Sequence, residues 1–374
     1  MHNLEILAVD PRDPLAILPD LEEALSGRRS LLPVPLDDPA RANLLRNTMG
    51  VGEPIDEDIA AVVSTSGSTG RPKGAELTAA NLVASADATH QRLGGQGQWL
   101  LAMPACYIAG LQVLVRALVA GVEPAALDLS RGFVIADFAA RAREIADTGD
   151  RCYTALTPLQ LAKATSSLEG IEALRLFDSV LVGGAATNPA LLESARKLRI
   201  NVVTTYGSSE TSGGCVYDGR PIPGARVRIS GGRIVLGGPM VARGYRNAPG
   251  HEAFSEPGWF ATSDAGSLDG AHLTVSGRLD NVIDSGGFKL HPEVLEDAML
   301  RVPGVTAACV VGVPDERFGQ RICAAYVGSA DVATLMDGLA DLPRWQVPKD
   351  ITLLPALPTL GPGKVDRAAV AALF

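Results

Sequence analysis

Ile59-Ala60-Ala61-Val62-Val63-Ser64-Thr65-Ser66-Gly67-Ser68-Thr69-Gly70-Arg71-Pro72-Lys73-Gly74 reads as a short apolar strand running into a loop of glycines, hydroxyls and one lysine. A loop of that composition can wrap backbone N–H groups around phosphate oxygens, and its hydroxyls and Lys73 add donors and positive charge. Thr78 then suits the N-cap of a helix through about Leu93, so the order is strand, loop, helix, the setting of a phosphate site. It is not a Walker A loop: GxxxxGK[ST] places lysine directly after glycine, whereas two residues separate Gly70 from Lys73.

Strand–helix alternation continues outward. Residues 99–103, 151–155, 177–182 and 201–205 read as strands. Helices are expected at 111–120, at 158–164 and from Pro189, at the first helical position after the N-cap Asn188, to about Leu198. The pattern predicts an α/β fold with mainly parallel, helix-covered sheets. From 216 to 276 short runs between Gly and Pro turns predict a small β-rich part. Beyond the polar segment Gly277-Arg278-Leu279-Asp280-Asn281 a small α+β unit follows, with a helix over Pro292–Leu300. The expected division is a large domain over 1–279 and a small, mobile C-terminal domain over 280–374. Residues 1–57, rich in proline and acid, read as a partly irregular lead-in.

The composition is that of a globular protein: of 374 residues, 47% are hydrophobic and 20% charged, which excludes disorder and leaves ample core. The net charge is −9, and residues 1–60 alone hold 12 acidic against 5 basic side chains. With no block of Lys and Arg, neither nucleic acid nor an anionic membrane is an expected partner. The run 110–122 contains Arg116 and is too short to span a bilayer, and the amino terminus lacks a signal-peptide pattern. Five scattered cysteines without a CxxC pair predict a soluble cytoplasmic protein with no disulfide framework. His2, His90, His251, His272 and His291 show neither triad nor metal spacing, so serine-hydrolase and zinc chemistry find no support.

The loop resembles the phosphate loop of the adenylate-forming superfamily of acyl-CoA synthetases, luciferases and peptide-synthetase adenylation domains. Further segments match in the family's order. Met103-Pro104-Ala105-Cys106-Tyr107-Ile108-Ala109-Gly110 is similar to its acyl-pocket motif, with Tyr107 where most relatives carry His; tyrosine can stack and hydrogen-bond but holds no positive charge near neutral pH. Gly183-Gly184-Ala185 resembles the element lying along the adenine. Thr205-Tyr206-Gly207-Ser208-Ser209-Glu210-Thr211 resembles the signature in which Tyr206 stacks on adenine and Glu210 binds Mg²⁺, with Ser209 in place of Thr. Trp259-Phe260-Ala261-Thr262-Ser263-Asp264 looks like WFxTGD, Ser263 replacing Gly and Asp264 accepting from the ribose hydroxyls. Gly277-Arg278-Leu279-Asp280 resembles the linker, with Arg278 at the ribose and Asp280 as hinge. Gly361-Pro362-Gly363-Lys364-Val365 resembles the catalytic-lysine segment.

The resemblance implies ATP and coenzyme A as substrates and Mg²⁺ as cofactor. It assigns Thr65, Ser66, Gly67, Ser68, Thr69, Gly70 and Lys73 to the phosphates, with Thr69 beside Glu210 as metal ligand. Gly184, Ala185, Tyr206, Gly207, Ser208, Ser209, Asp264 and Arg278 fall to the nucleoside, and Gly286 and Gly287 to the pantetheine tunnel. Tyr107, Gly207, Ser208 and Gly213 would line the acid. Lys364, Glu210, Tyr107 and Asp280 would serve the chemistry. The implied reaction has two steps, a carboxylate attacking ATP to give an acyl-adenylate and pyrophosphate, then the thiol of coenzyme A displacing AMP after the small domain pivots.

Within the family, Tyr206 to Gly219 and Gly363-Lys364-Val365-Asp366-Arg367 are most similar to the compact o-succinylbenzoate–CoA ligases of menaquinone biosynthesis in actinobacteria. Arg116 gives separate physical support. It stands alone in an apolar run with no acid between Pro104 and Val122, and a buried guanidinium needs a partner. A substrate with two carboxylates would supply one; the alternatives are snorkelling to the surface or pairing with a distant acid. Activation of a different acid and a catalytically silent nucleotide-binding protein are the competing functions, and a homodimer is carried by analogy.

Overall fold

The computed structural model describes residues 2–65, 72–359 and 365–374. Four sheets follow one another along the chain. The second is the frame: Gln98–Leu101, Cys152–Leu156, Ser179–Val182 and Val202–Ser208 run parallel, and Gly213–Tyr217 then turns back antiparallel on Val202–Ser208. Its central strands bury both faces. Trp99, Leu101, Tyr153 and Leu181 enter one core while Leu100, Leu156, Val180 and Val182 enter another, the near-continuous apolar pattern of a parallel sheet covered twice. Helices Ala79–Leu93 and Ile108–Ala120 lie on the first of these faces, which they share with the five-stranded sheet.

Two expectations are corrected here. The lead-in is ordered: His2–Val9 pairs in parallel with Ser30–Pro35, which pairs with Ile59–Ser64, and helices Leu18–Leu25 and Pro39–Met49 connect them. Pro19 and Pro39 fall at the first turns of the two helices, and Pro33 and Pro35 on the part of Ser30–Pro35 beyond its Leu31↔Ala61 pairing, where they are tolerated. The loop after Ser64 does not lead directly into a helix. Gly74–Thr78 is a strand, antiparallel to Ile59–Ser64 with Ser64 opposite Gly74, so the loop closes a hairpin. The helix still starts as expected: Thr78 Oγ1 accepts from the Asn81 N–H at 3.1 Å while Asn81 Oδ1 accepts from the Thr78 N–H at 2.9 Å.

The β-rich part is a four-stranded antiparallel sheet ending in Trp259–Asp269 and His272–Arg278. The last sheet, centred on the long pair Val305–Asp315 and Gly319–Gly328, has its own core of Leu295, Met299, Val310, Ile322 and Tyr326. Helix Pro292–Leu300 meets the short 3₁₀ segment Leu279–Asn281 after the four-stranded sheet, where Asn281 Nδ2 donates to Glu293 Oε1 at 3.2 Å.

Candidate active site

The hairpin Val202–Ser208/Gly213–Tyr217 organises one wall. Its ladder pairs Tyr206 with Val216 and Gly207 with Gly214, and a Cβ on Gly207 would lie 2.2 Å from the Gly213 carbonyl oxygen, so no larger residue fits. The turn is a short 3₁₀ segment, Ser209–Thr211, followed by Ser212 and Gly213 in the left-handed region at φ 51° and 93°. That tight reversal leaves Glu210 nearly buried.

The Tyr206 hydroxyl donates to Asp264 Oδ2 at 2.6 Å. Asp264 also faces Arg278, its partner in the register of the two last strands, at 3.8 Å, and Arg278 forks onto Asp280 with bonds of 2.7 and 2.5 Å. Burial pushes the Asp264 carboxyl upward, opposed by the Tyr206 hydrogen bond and by Arg278. Burial and Asp264 together push the Tyr206 phenol up, so it remains a donor. Four expected residues from three separate motifs thus form one chain of hydrogen bonds and an ion pair. Gly184, in the left-handed region at φ 83°, and Ala185 lie exposed beyond the strand Ser179–Val182, and the close contact of Gly183 with Thr205 sets that turn against the hairpin.

Ser66, Gly67, Ser68, Thr69 and Gly70 lie outside the described residues, as does Lys364. Their flanks are defined. The Thr65 N–H donates to the Lys73 carbonyl at 2.7 Å, and Ser209 Oγ reaches the Ser64 carbonyl at 3.4 Å. Asn247 brackets the exit of the loop, donating to the Pro72 carbonyl at 2.9 Å and accepting from the Gly74 N–H at 3.1 Å. Lys73 Nζ lies 2.9 Å from His251 Nε2 and 5.0 Å from the centre of the Tyr245 ring, whose hydroxyl donates to Glu210 Oε1 at 2.6 Å. Tyr245, Asn247 and His251 escaped the sequence reading; the run Gly244-Tyr245-Arg246-Asn247, an aromatic residue amid turn residues, was their only local signal. Among the described residues no group of three or more His, Cys, Asp or Glu side chains could hold a metal, so the expected metal set of Glu210 and Thr69 would need completion by a bound ligand. That suits a hard ion completed by phosphate oxygens and water.

Tyr107 precedes helix Ile108–Ala120, half-buried, its phenol pushed up by burial. One face of the helix runs along the hairpin: Gln112 Cγ and Ile108 Cγ1 lie 3.6 and 3.9 Å from a Cβ built on Gly213. Gln112 Nε2 donates to the Leu82 carbonyl at 3.3 Å, but its Oε1 has no partner among the described residues. One turn on, Arg116 is only 3% exposed, which excludes snorkelling. Its guanidinium lies 5.0 Å from the Trp99 ring and reaches the Tyr217 hydroxyl at 3.4 Å; no carboxylate pairs with it among the described residues, and its Nε is unpartnered. Burial lowers its pKa, and burial together with Arg116 pushes the neighbouring His90 down to about 4.

At the small-domain end, Gly286 and Gly287, at φ 63° and 82°, form the tip of the hairpin Ile283–Ser285/Phe288–Leu290. The lysine segment is tied at both flanks. Thr359 bridges Val365, and Arg367 is held by Glu296 through bonds of 2.6 and 2.9 Å. No helix among the described residues is long and apolar enough to cross a membrane.

Comparison with known proteins places this geometry. Residues 22–246 match the AMP-binding enzyme family and residues 294–364 the C-terminal domain of AMP-binding enzymes. A probable 2-succinylbenzoate–CoA ligase of Mycobacterium tuberculosis is 44% identical, over 96% of this chain and 95% of that protein. The 2-succinylbenzoate–CoA ligase of Enterococcus faecalis is 30% identical over 84% of this chain and 70% of its own length. Among solved structures, o-succinylbenzoate CoA synthetase from Bacillus subtilis in complex with the acyl-adenylate intermediate shares the fold with a TM-score of 0.84, at 23% identity, covering 99% of this chain and 88% of that one. The chain belongs to the AMP-binding enzyme family.

Proposed function

We propose that the chain is an ATP-dependent 2-succinylbenzoate–CoA ligase of menaquinone biosynthesis. The substrate carboxylate attacks the α-phosphorus of ATP, expelling pyrophosphate and leaving the acyl-adenylate. The coenzyme A thiol then attacks the acyl carbon, loses its proton and expels AMP. The observation that carries the reading is the 44% identity to the mycobacterial ligase, maintained along nearly the full length of both chains.

The site residues support it physically. Tyr206 offers adenine an aromatic face, and Asp264, a carboxylate held between Tyr206 and Arg278, is set to accept from two ribose hydroxyls. Lys73 and the loop 65–70 gather the phosphates, while Glu210 and Thr69 hold Mg²⁺, which supplies charge neutralisation on the phosphate oxygens. Lys364 brings a cation to the attacked phosphate. Residues 280–374 act as the moving unit about Asp280, and Gly286 and Gly287 let the thin pantetheine arm approach the backbone. Arg116 supplies the counter-charge for the carboxylate that is not activated, its desolvation relieved only when the substrate arrives.

Pyrophosphate release with ATP, Mg²⁺ and a panel of carboxylic acids, with and without coenzyme A, tests the reading. Release with 2-succinylbenzoate, giving its CoA thioester once coenzyme A is added, is the expected result. Release only with another acid would keep the mechanism and replace the substrate. ATP binding without release for any acid would favour a silent nucleotide-binding protein.

A further inference from the structure

Glu210 is 6% exposed, and its side chain accepts a hydrogen bond from a neutral phenol. A buried carboxylate needs hydrogen-bond donors or an opposite charge to offset its lost hydration. Among the described residues, the one side-chain donor that reaches it is the Tyr245 hydroxyl, at 2.6 Å to Oε1, a bond that is strong when the carboxylate is charged. The Glu210 backbone is fixed as well, its carbonyl accepting from the Ala242 N–H at 2.8 Å.

Tyr245 is itself held from several sides. Its backbone bridges Ala75 on the strand leaving the phosphate loop, flanked by bonds from the Glu76 N–H to the Gly244 carbonyl and from the Arg246 N–H to the Gly74 carbonyl, at 3.0 and 2.8 Å. Phe254 and His251 meet its ring edge-to-face at 5.0 and 5.1 Å, and Lys73 lies against it. One side chain thus touches both the metal-binding carboxylate and the phosphate-binding lysine.

From this geometry we infer that Tyr245 is a positioning residue for Glu210, its hydroxyl occupying one carboxylate oxygen so that the other is presented to the divalent cation, while its ring keeps Lys73 beside the same site. The inference rests on the reading of Glu210 as metal ligand.

The test is calorimetric titration of ATP into the full chain across a series of Mg²⁺ concentrations, without acid or coenzyme A. Tyr245→Phe keeps the ring, its packing and the Lys73 contact and removes only the hydroxyl. The Mg²⁺ concentration that gives half of the gain in ATP affinity should rise about tenfold, with ATP affinity in chelator unchanged. A uniform drop at every Mg²⁺ concentration, chelator included, would mark a merely structural residue and overturn the inference, as would a curve superimposing on that of the parent protein. Glu210→Gln separates the layers. If it loses the Mg²⁺ dependence, the metal reading holds and Tyr245→Phe alone decides; if it keeps the parent's dependence, the metal reading fails and the inference falls with it.

Discussion

Two side-chain clusters, Tyr206 with Asp264, Arg278 and Asp280, and Gln112 with Arg116 and His90, treat polar groups in opposite ways. At Tyr206, Asp264, Arg278 and Asp280, each member finds a partner within the protein. At Gln112, Arg116 and His90, polar atoms are buried and left over: Oε1, Nε and Nδ1 respectively have no partner among the described residues. A network satisfied in itself is rigid and fits a ligand that every family member must bind. Leftover buried polar atoms cost stability and suit a site whose complement arrives from outside.

The contrast can be broken by mutation. The largest effect is expected on the proposed nucleotide side: Asp264→Ala should lower ATP affinity by about one hundredfold, since it removes charge-assisted bonds to ribose and leaves the Tyr206 hydroxyl without its acceptor. Isothermal titration checks it, and the KM for the acid should move far less. Next, Arg116→Met should raise the KM for 2-succinylbenzoate by about tenfold or more while leaving ATP affinity alone, and should stabilise the free protein by about 1–2 kcal/mol in urea, because an uncompensated buried cation is gone. A more stable variant with unchanged KM would make Arg116 a core cation and nothing more.

A third effect is a matter of pH. His90 is neutral in the folded protein down to about 4, against a usual value of 6.5, so the unfolded chain binds its proton first. Its contribution is fully present above 6.5 and is lost as pH falls from there toward 4. Urea midpoints measured at two pH values in that window should therefore converge in His90→Gln. They should converge partly in Arg116→Met, where the neighbouring charge that helps depress His90 has been removed. The smallest effect belongs to Tyr107→His, which keeps an aromatic group before helix Ile108–Ala120 and should alter kcat/KM by less than about threefold at neutral pH, read by pyrophosphate release.

Local chemistry explains what could be read from the sequence. The buried parallel strands, the N-caps at Thr78 and Asn188, and the helix Pro292–Leu300 carry their signals within a few residues, and each took its expected place. Gly74–Thr78 carries none: Gly-Ala-Glu-Leu-Thr becomes a strand because Ile59–Ser64 offers it a ladder. Order in the lead-in likewise comes from pairing, since Ser30–Pro35, with Pro33 and Pro35, is held between His2–Val9 and Ile59–Ser64. Tyr245 and His251 were illegible for the same reason, for they meet Glu210 and Lys73 across 35 and 178 positions of chain. Arg116 was legible as an anomaly, while its aromatic surroundings were not.

The hairpin with no room for a side chain at Gly207 has a thermodynamic corollary. Thr205 faces Tyr217, the hydroxyl partner of Arg116, one ladder step from Tyr206, the platform proposed for adenine. On the proposed assignments, a substrate that draws Arg116 away from Tyr217 would act on a strand whose register the nucleotide also reads. Any free energy exchanged along that ladder is shared symmetrically, so whatever factor the acid adds to ATP affinity, ATP must return to the acid.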